Sequence, residues 1–314
     1  MSAIIFPGQG SQYLGMAKDF CDNFESSRKV IEEIEDSISI NVRSIMFEDK
    51  DNLLNITNYT QICLFAASLS IFKAIDSIIN IKDIGIDTML GHSLGEYSSL
   101  VASNKLDVKE CSKLLVLRGN LMNSALEPNY SGMAALIGLN CLKVEEIIKN
   151  EKLPIEIGND NSHIQVVISG LNSDIDKCQN VFITNGVKKF IKLNVSAAFH
   201  SQHMIKAQNK LCEEIEKLEL MNSDINIISN YDGILHKEIN EIKHCLKNQM
   251  ANRVRWTESI LNLKKLNKNI IIEIGPGKVL SGLIKRIENT FEIISIDNVS
   301  DLSKIEKINY VKKQ

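Results

Sequence analysis

Residues 86–98 read Ile-Asp-Thr-Met-Leu-Gly-His-Ser-Leu-Gly-Glu-Tyr-Ser: a short apolar run, a G-x-S-x-G turn, and the start of a helix-forming stretch that continues to Leu106. A serine hydroxyl attacks a carbonyl only if it is exposed, set beside a base, and given donors for the charge that develops on the attacked oxygen. A tight strand-to-helix turn supplies the exposure of Ser93 and one donor, the N–H of Leu94. Gly91 and Gly95 permit the sharp turn and the close approach of neighbouring chain. G-x-S-x-G alone recurs by chance in long chains, and the strand before it and helix after it are what make Ser93 a candidate nucleophile.

Working outward, a second helix is expected from about Val108 to Met122. Upstream, Ala3 to Phe6 reads as a strand followed by Pro-Gly-Gln-Gly-Ser-Gln at 7–12, with helices across 23–38 and 62–79. The middle of the chain changes pattern: strand 133–139, helix 143–150, strands 155–158 and 165–170, helix 173–185, strand 188–193. That β-α-β-β-α-β order predicts a small ferredoxin-like subdomain at 125–196. Beyond it come a long helix at about 201–219, a strand at 225–229, a helix containing Trp256, and a closing unit in which strand 270–274 turns through Gly275-Pro-Gly277 into a helix from about Lys278. The expected fold is therefore α/β, with a mainly parallel core (1–124 and 197–314) interrupted by a small α+β subdomain.

Bulk properties exclude several classes. The 314 residues suffice for a large core, and hydrophobic (44%) and charged (24%) contents are ordinary for a globular protein. A net charge of −3 gives no electrostatic reason to expect a nucleic-acid partner. The apolar stretch 62–79 carries Lys73 and Asp76, which argues for a buried helix, with no membrane span expected. No signal peptide is expected from the N-terminal residues. The seven cysteines contain no C-x-x-C pair. They predict reduced thiols in a cytoplasmic protein, neither a disulfide framework nor a zinc site.

Among the histidines, His200 lies in Val-Ser-Ala-Ala-Phe-His-Ser at 195–201, where small residues leave room for a substrate, and His203 is its competitor as base. His92 adjoins Ser93, so its side chain should point elsewhere. His163 falls in a loop, and His236 and His244 are expected to be solvated. Arg118 continues the apolar stripe of Cys111, Leu114, Leu115 and Met122, so its guanidinium should face inward and meet an anion. That anion is either a buried Asp or Glu or a substrate carboxylate held by the guanidinium fork. The Gly8-Gln9-Gly10 and Gly275-Pro276-Gly277 turns do not complete G-x-G-x-x-G, which weakens a dinucleotide reading; they are expected to line the same crevice as Ser93.

Eight segments then resemble one family in order. They are Phe-Pro-Gly-Gln-Gly-Ser-Gln (6–12), Tyr-Thr-Gln (59–61), Gly-His-Ser-Leu-Gly-Glu-Tyr-Ser (91–98), Leu-Arg-Gly (117–119), Gln-Val-Val-Ile-Ser-Gly (165–170), Phe-His-Ser (199–201), Trp-Thr-Glu-Ser (256–259) and Glu-Ile-Gly-Pro-Gly-Lys-Val-Leu (273–280). The family is that of the malonyl-CoA:acyl carrier protein transacylases of fatty acid and polyketide synthesis. The resemblance implies a hydrolase-like α/β core with a ferredoxin-like insert. It implies Ser93 as nucleophile, His200 as base, the main-chain carbonyl of Gln249 as the group orienting that histidine, the N–H groups of Gln9 and Leu94 as oxyanion hole, and Arg118 on the malonyl carboxylate. Asn161 matches a pocket asparagine. It also implies malonyl-CoA and acyl carrier protein as partners and a reaction without metal or redox cofactor. The sequence departs from the family at Ile62 and His163, where proline is frequent, and at Phe199, where many members carry serine; with Leu94, Phe199 resembles the malonyl-selecting pattern of polyketide acyltransferases. A serine acyl hydrolase is the rival reading, and a carrier-protein docking module that kept the fold is another.

Overall fold

The computed structural model describes residues 2–81 and 83–305. In chain order the elements are β1 (Ser2–Phe6), α1 (Lys18–Asn23), α2 (Glu25–Ile38), α3 (Val42–Phe47), α4 (Thr57–Ile78), β2 (Ile86–Gly91), α5 (Leu94–Ala102), α6 (Val108–Asn123) and β3 (Ser131–Ile137). There follow α7 (Cys141–Asn150), β4 (Glu156–Ser162), β5 (Gln165–Leu171), α8 (Asn172–Thr184), β6 (Lys189–Lys192), α9 (Ile205–Lys217), β7 (Asn226–Ile228), β8 (Leu235–His236), α10 (Ile239–Asn248), α11 (Trp256–Lys265), β9 (Ile270–Ile274), α12 (Val279–Ile287) and β10 (Glu292–Ile296).

A six-stranded sheet runs in the order β10-β9-β1-β2-β7-β8, with every pairing parallel except β7 with β8. β1 is buried on both faces. Ile4 and Phe6 join the larger apolar cluster with α2, α4 and α6, whereas Ala3 and Ile5 join a second cluster with α11 and α12. Continuous apolar runs such as Ser-Ala-Ile-Ile-Phe suit a central parallel strand covered by helices on both sides. α4 is long and apolar enough to cross a membrane by length and composition alone. Its apolar window is 78% buried inside the protein, so it is a core helix, as expected.

The chain leaves this core after α6 and builds a four-stranded antiparallel sheet in the order β4-β5-β3-β6, crossed by α7 and α8. On β3 the alternation of a strand divides the side chains. Ala134 and Leu136 pack under α7 and α8, while Met133 and Ala135 join the large core. A parallel bridge between Asn159 and Val254 ties this sheet to the core, with Asp160 N–H donating to the Val254 carbonyl (2.9 Å) and Val254 N–H to that of Gly158 (2.8 Å).

Some expectations change. The helix after Ser93 stops at Ala102, and α3, α10 and β10 were not expected from the pattern. His236, expected to be solvated, is half-buried and bonded to Asp232 and Glu241, whereas His244 is exposed. The chain after β10 buries Leu302 and Ile305, and 306–314 lies outside the described residues.

Candidate active site

β1, β2, β7 and β9 all end on one side of the sheet, and the loops leaving them carry Gln9, Ser93, Asn230 and Gly275. In open parallel sheets ligands bind there, where the strand order reverses. The turn at Ser93 is built by close approach. A Cβ on Gly91 would sit 2.0 Å from the Gly95 carbonyl carbon, and one on Gly95 would sit 2.1 Å from the Phe6 carbonyl oxygen. A larger residue at Gly91 would push α5 off β2, and one at Gly95 would push it off β1.

Ser93 itself sits at φ 50°, ψ −102°, a conformation costing of order 1–3 kcal/mol that the surroundings must enforce. Two neighbours hold it. Ser93 N–H donates to Asn230 Oδ1 at 2.6 Å, and Gln249 Nε2 donates to the Ser93 carbonyl at 2.9 Å. Asn230 in turn donates to the Gly91 carbonyl (2.7 Å), so one side chain spans the turn from β7.

Ser93 Oγ lies 2.8 Å from His200 Nε2, and His200 Nδ1 lies 3.1 Å from the Gln249 carbonyl. A carbonyl only accepts, so Nδ1 carries the proton and Nε2 is free to take that of Ser93. The competitor His203 lies in the short turn Gln202–Met204 and makes no such bond among the described residues. Burial, reinforced by the charge of Arg118, pushes the His200 pKa down to about 3, so the ring is neutral at working pH.

Arg118 is 1% exposed on the inward face of α6. It donates to Gln61 Oε1 (2.6 Å), to Gln249 Oε1 (3.0 Å) and to Ser93 Oγ (3.0 Å), and lies 5.2 Å from the centre of the Tyr97 ring. All three acceptors are neutral. The alternative partner considered for this arginine, a buried Asp or Glu, is not among them. The nearby acid, Glu96, is 1% exposed and is bonded by Gln249 Nε2 (2.7 Å) and Asn230 N–H (3.1 Å), touching neither the imidazole nor the guanidinium.

Gln9, Leu94, Arg118, Phe199 and His200 line a small cavity of about 80 Å³ around Ser93. The Leu94 N–H is the first of α5 and has no earlier helical carbonyl to bond. Next to this chamber, a cavity of about 360 Å³ runs between the Gly8-Gln9-Gly10 turn, α12 and the small sheet. Asn161 lies in its wall, its Oδ1 accepting from His92 Nε2 at 2.8 Å, while the His92 ring packs on Trp256 (5.6 Å between centres) and so points away from Ser93, as expected. The N-terminus of α12 is already capped by the buried Glu273 carboxylate, which accepts from Leu280 N–H (3.0 Å) and Ser281 N–H (2.9 Å). No N–H of that turn is left over for a phosphate at those two positions. His163 is exposed and remote from Ser93, lining a separate cleft.

The sequence reading thus finds Ser93, His200, Arg118 and the Gln249 carbonyl brought together, with Gln9, Leu94, Asn161 and Phe199 around them. It misses Asn230, Gln61 and the side chain of Gln249. Asn230 follows a predicted strand parallel to that of Ser93, a position that could have flagged it.

The acyl transferase domain model matches residues 3–308. The malonyl CoA-acyl carrier protein transacylase of Bacillus subtilis is 33% identical over 301 residues, covering 94% of this chain and 93% of the relative. The crystal structure of the acyl-carrier-protein S-malonyltransferase of Bartonella henselae superimposes with a TM-score of 0.93 at 33% identity, over 98% of this chain and 99% of that one. A malonyl-transacylase solved in complex with a type II polyketide synthase acyl-carrier protein superimposes with a TM-score of 0.90 at 32% identity, over 96% and 98%. With a family match running from the first strand to beyond the last, this chain belongs to the acyl transferase domain family.

Proposed function

We propose that the protein moves a malonyl group from malonyl-CoA to the phosphopantetheine thiol of an acyl carrier protein, through an ester on Ser93. The observation that carries this reading is the Ser93–His200 pair with a buried, acid-free guanidinium 3.0 Å from the same hydroxyl. A nucleophile beside an unmatched buried cation fits an acyl group that ends in a carboxylate.

In the first half-reaction Ser93 Oγ attacks the thioester carbonyl carbon as His200 Nε2 takes its proton. The tetrahedral oxyanion rests on the N–H groups of Gln9 and Leu94. The C–S bond then breaks, and the departing sulfur leaves as the CoA thiol with the proton held on His200. In the second, His200 takes the proton of the pantetheine thiol, the thiolate attacks the acyl-serine, and Ser93 recovers its proton as the C–O bond breaks. The Gln249 carbonyl keeps the imidazole aimed throughout. Arg118 pairs with the malonyl carboxylate, and that pairing also offsets the positive charge that depresses His200, so a bound diacid makes the base stronger. Phe199 narrows the chamber against an α-methyl branch, and Asn161 belongs to the wall through which the thioester arm enters.

Residues 1–124 with 197–314 form the hydrolase-like catalytic unit in this reading. Residues 125–196 form a ferredoxin-like subdomain, supported by the β4-β5-β3-β6 order, and close the chamber from above. The free thiols suit a cytoplasmic enzyme. A hydrolase would need an acid on the imidazole, and Glu96 is engaged elsewhere. Initial rates with malonyl-CoA and holo carrier protein test the assignment. Parallel double-reciprocal lines and malonyl carrier protein as product are expected. Intersecting lines, or free malonate as the main product, would overturn it.

A further inference from the structure

On the far side of Asn230, the β7–β8 hairpin and α10 bring together three side chains of different chemistry. His236 Nε2 lies 2.9 Å from Asp232 Oδ2, and Cys245 Sγ lies 3.5 Å from each of those atoms. The other ring nitrogen, His236 Nδ1, lies 3.2 Å from Glu241 Oε2. Cys245 is buried, while Asp232 and His236 retain side-chain exposures of 28% and 13%. We propose that Asp232, His236 and Cys245 form a zinc(II) site, with a fourth position open to water.

Four features support the assignment. Zinc bonds of about 2.0–2.3 Å at tetrahedral angles separate their ligand atoms by about 3.3–3.8 Å. Both sulfur distances already meet that spacing, and the oxygen–nitrogen pair has only to open by about 0.4 Å. The donor set of one thiolate, one imidazole and one carboxylate suits a borderline metal such as zinc rather than magnesium or calcium. The Glu241 carboxylate on the distal ring nitrogen repeats the second contact that zinc-bound histidines make, fixing the ring so that Nε2 faces the metal. Partial exposure of two ligands leaves the ion a way in. On binding, the thiol proton passes to solvent as the S–Zn bond forms, with no change of oxidation state.

The cysteine spacing predicted no zinc site, because the ligands come from one aspartate, one histidine and one cysteine spread over 14 positions, and only the packing of α10 on the hairpin joins them. The position gives the ion a consequence. Asp232 is two residues from Asn230, which grips Ser93 N–H, and Cys245 is four residues from Gln249, which grips His200. A metal here would pin together the two segments that brace the nucleophile and its base.

The test uses the full chain, stripped with a chelator and titrated with cobalt(II) and then zinc(II). One cobalt per chain is expected, with a thiolate-to-cobalt charge-transfer band and tetrahedral ligand-field bands that zinc abolishes. Cys245→Ser should lose the charge-transfer band and His236→Ala should lose binding, while Cys212→Ser keeps both. In the unmodified protein, zinc should protect Cys245 from alkylation in peptide maps and raise the unfolding temperature. Absence of the thiolate band, a band that survives Cys245→Ser, or equal alkylation of Cys245 with and without zinc would overturn the site, and the last result does so even if a variant fails to fold.

Discussion

Replacing Arg118 by methionine separates the two jobs the structure gives this residue. Methionine keeps a long apolar stem against Tyr97 and removes the guanidinium, which is 1% exposed and bonded only to neutral acceptors. If the guanidinium binds the malonyl carboxylate, the loss is that of a charge-assisted contact, about 1.5–3 kcal/mol. At 1.4 kcal/mol per tenfold, kcat/KM for malonyl-CoA should fall about 10- to 150-fold. Acetyl-CoA has no carboxylate to lose, so its kcat/KM should hold or rise, and the malonyl-over-acetyl ratio should collapse by a similar factor. A site built for a polar partner discriminates in this way because the partner's absence leaves a buried charge unmatched. The second readout is His200. Arg118 is the second cause, after burial, of its lowered pKa, so the variant's ring should titrate at higher pH in an NMR titration of the imidazole. The reasoning is refuted if the variant keeps the parent's preference for malonyl over acetyl while folding normally.

Four more outcomes follow from the same geometry. Because His200 is held neutral far below the ordinary histidine value of about 6.5, kcat/KM should show no acid limb at that pH; a limb near 6.5 would contradict the burial assigned to the ring. The same depression has a stability sign. Below about pH 6.5 the unfolded chain takes up a proton at this residue and the folded chain does not, so stability falls as pH drops toward about 3, and His200→Gln should lessen that fall in thermal melts. Phe199→Ala should enlarge the chamber and raise methylmalonyl transfer relative to malonyl in a competition assay, and an unchanged ratio would remove Phe199 from selectivity. Asn230→Ala should cost about 1–3 kcal/mol in denaturant unfolding, because it strands the Ser93 N–H and the Gly91 carbonyl, and it should lower kcat more than it raises KM.

The features legible in the sequence are those written as local pattern. The short run before Gly91 reads as a strand, the two glycines mark a turn where backbones touch, and the stripe through Cys111 and Leu115 turns Arg118 inward. The β-α-β-β-α-β order appears in the observed small sheet. What was not legible depends on contacts between distant segments. Nothing in the neighbourhood of Gln249 shows that its amide will bridge Arg118, Glu96 and the Ser93 carbonyl, because those partners lie more than a hundred residues away in the chain. α10 hides its stripe of Ile242, Cys245 and Leu246 among Lys, Glu and Asn, and β10, at the sheet's edge, breaks its isoleucines with Glu292 and Ser295. His236 looks solvated in sequence because its neighbours are polar, and those polar neighbours are what fold over it.

Intact-protein mass spectrometry after brief mixing with malonyl-CoA, without carrier protein, addresses the acyl-serine most directly. The account predicts one malonyl group per chain, mapped to Ser93, absent in Ser93→Ala and discharged when holo carrier protein is added. An unmodified chain, or a malonyl group carried on any residue other than Ser93, would contradict it.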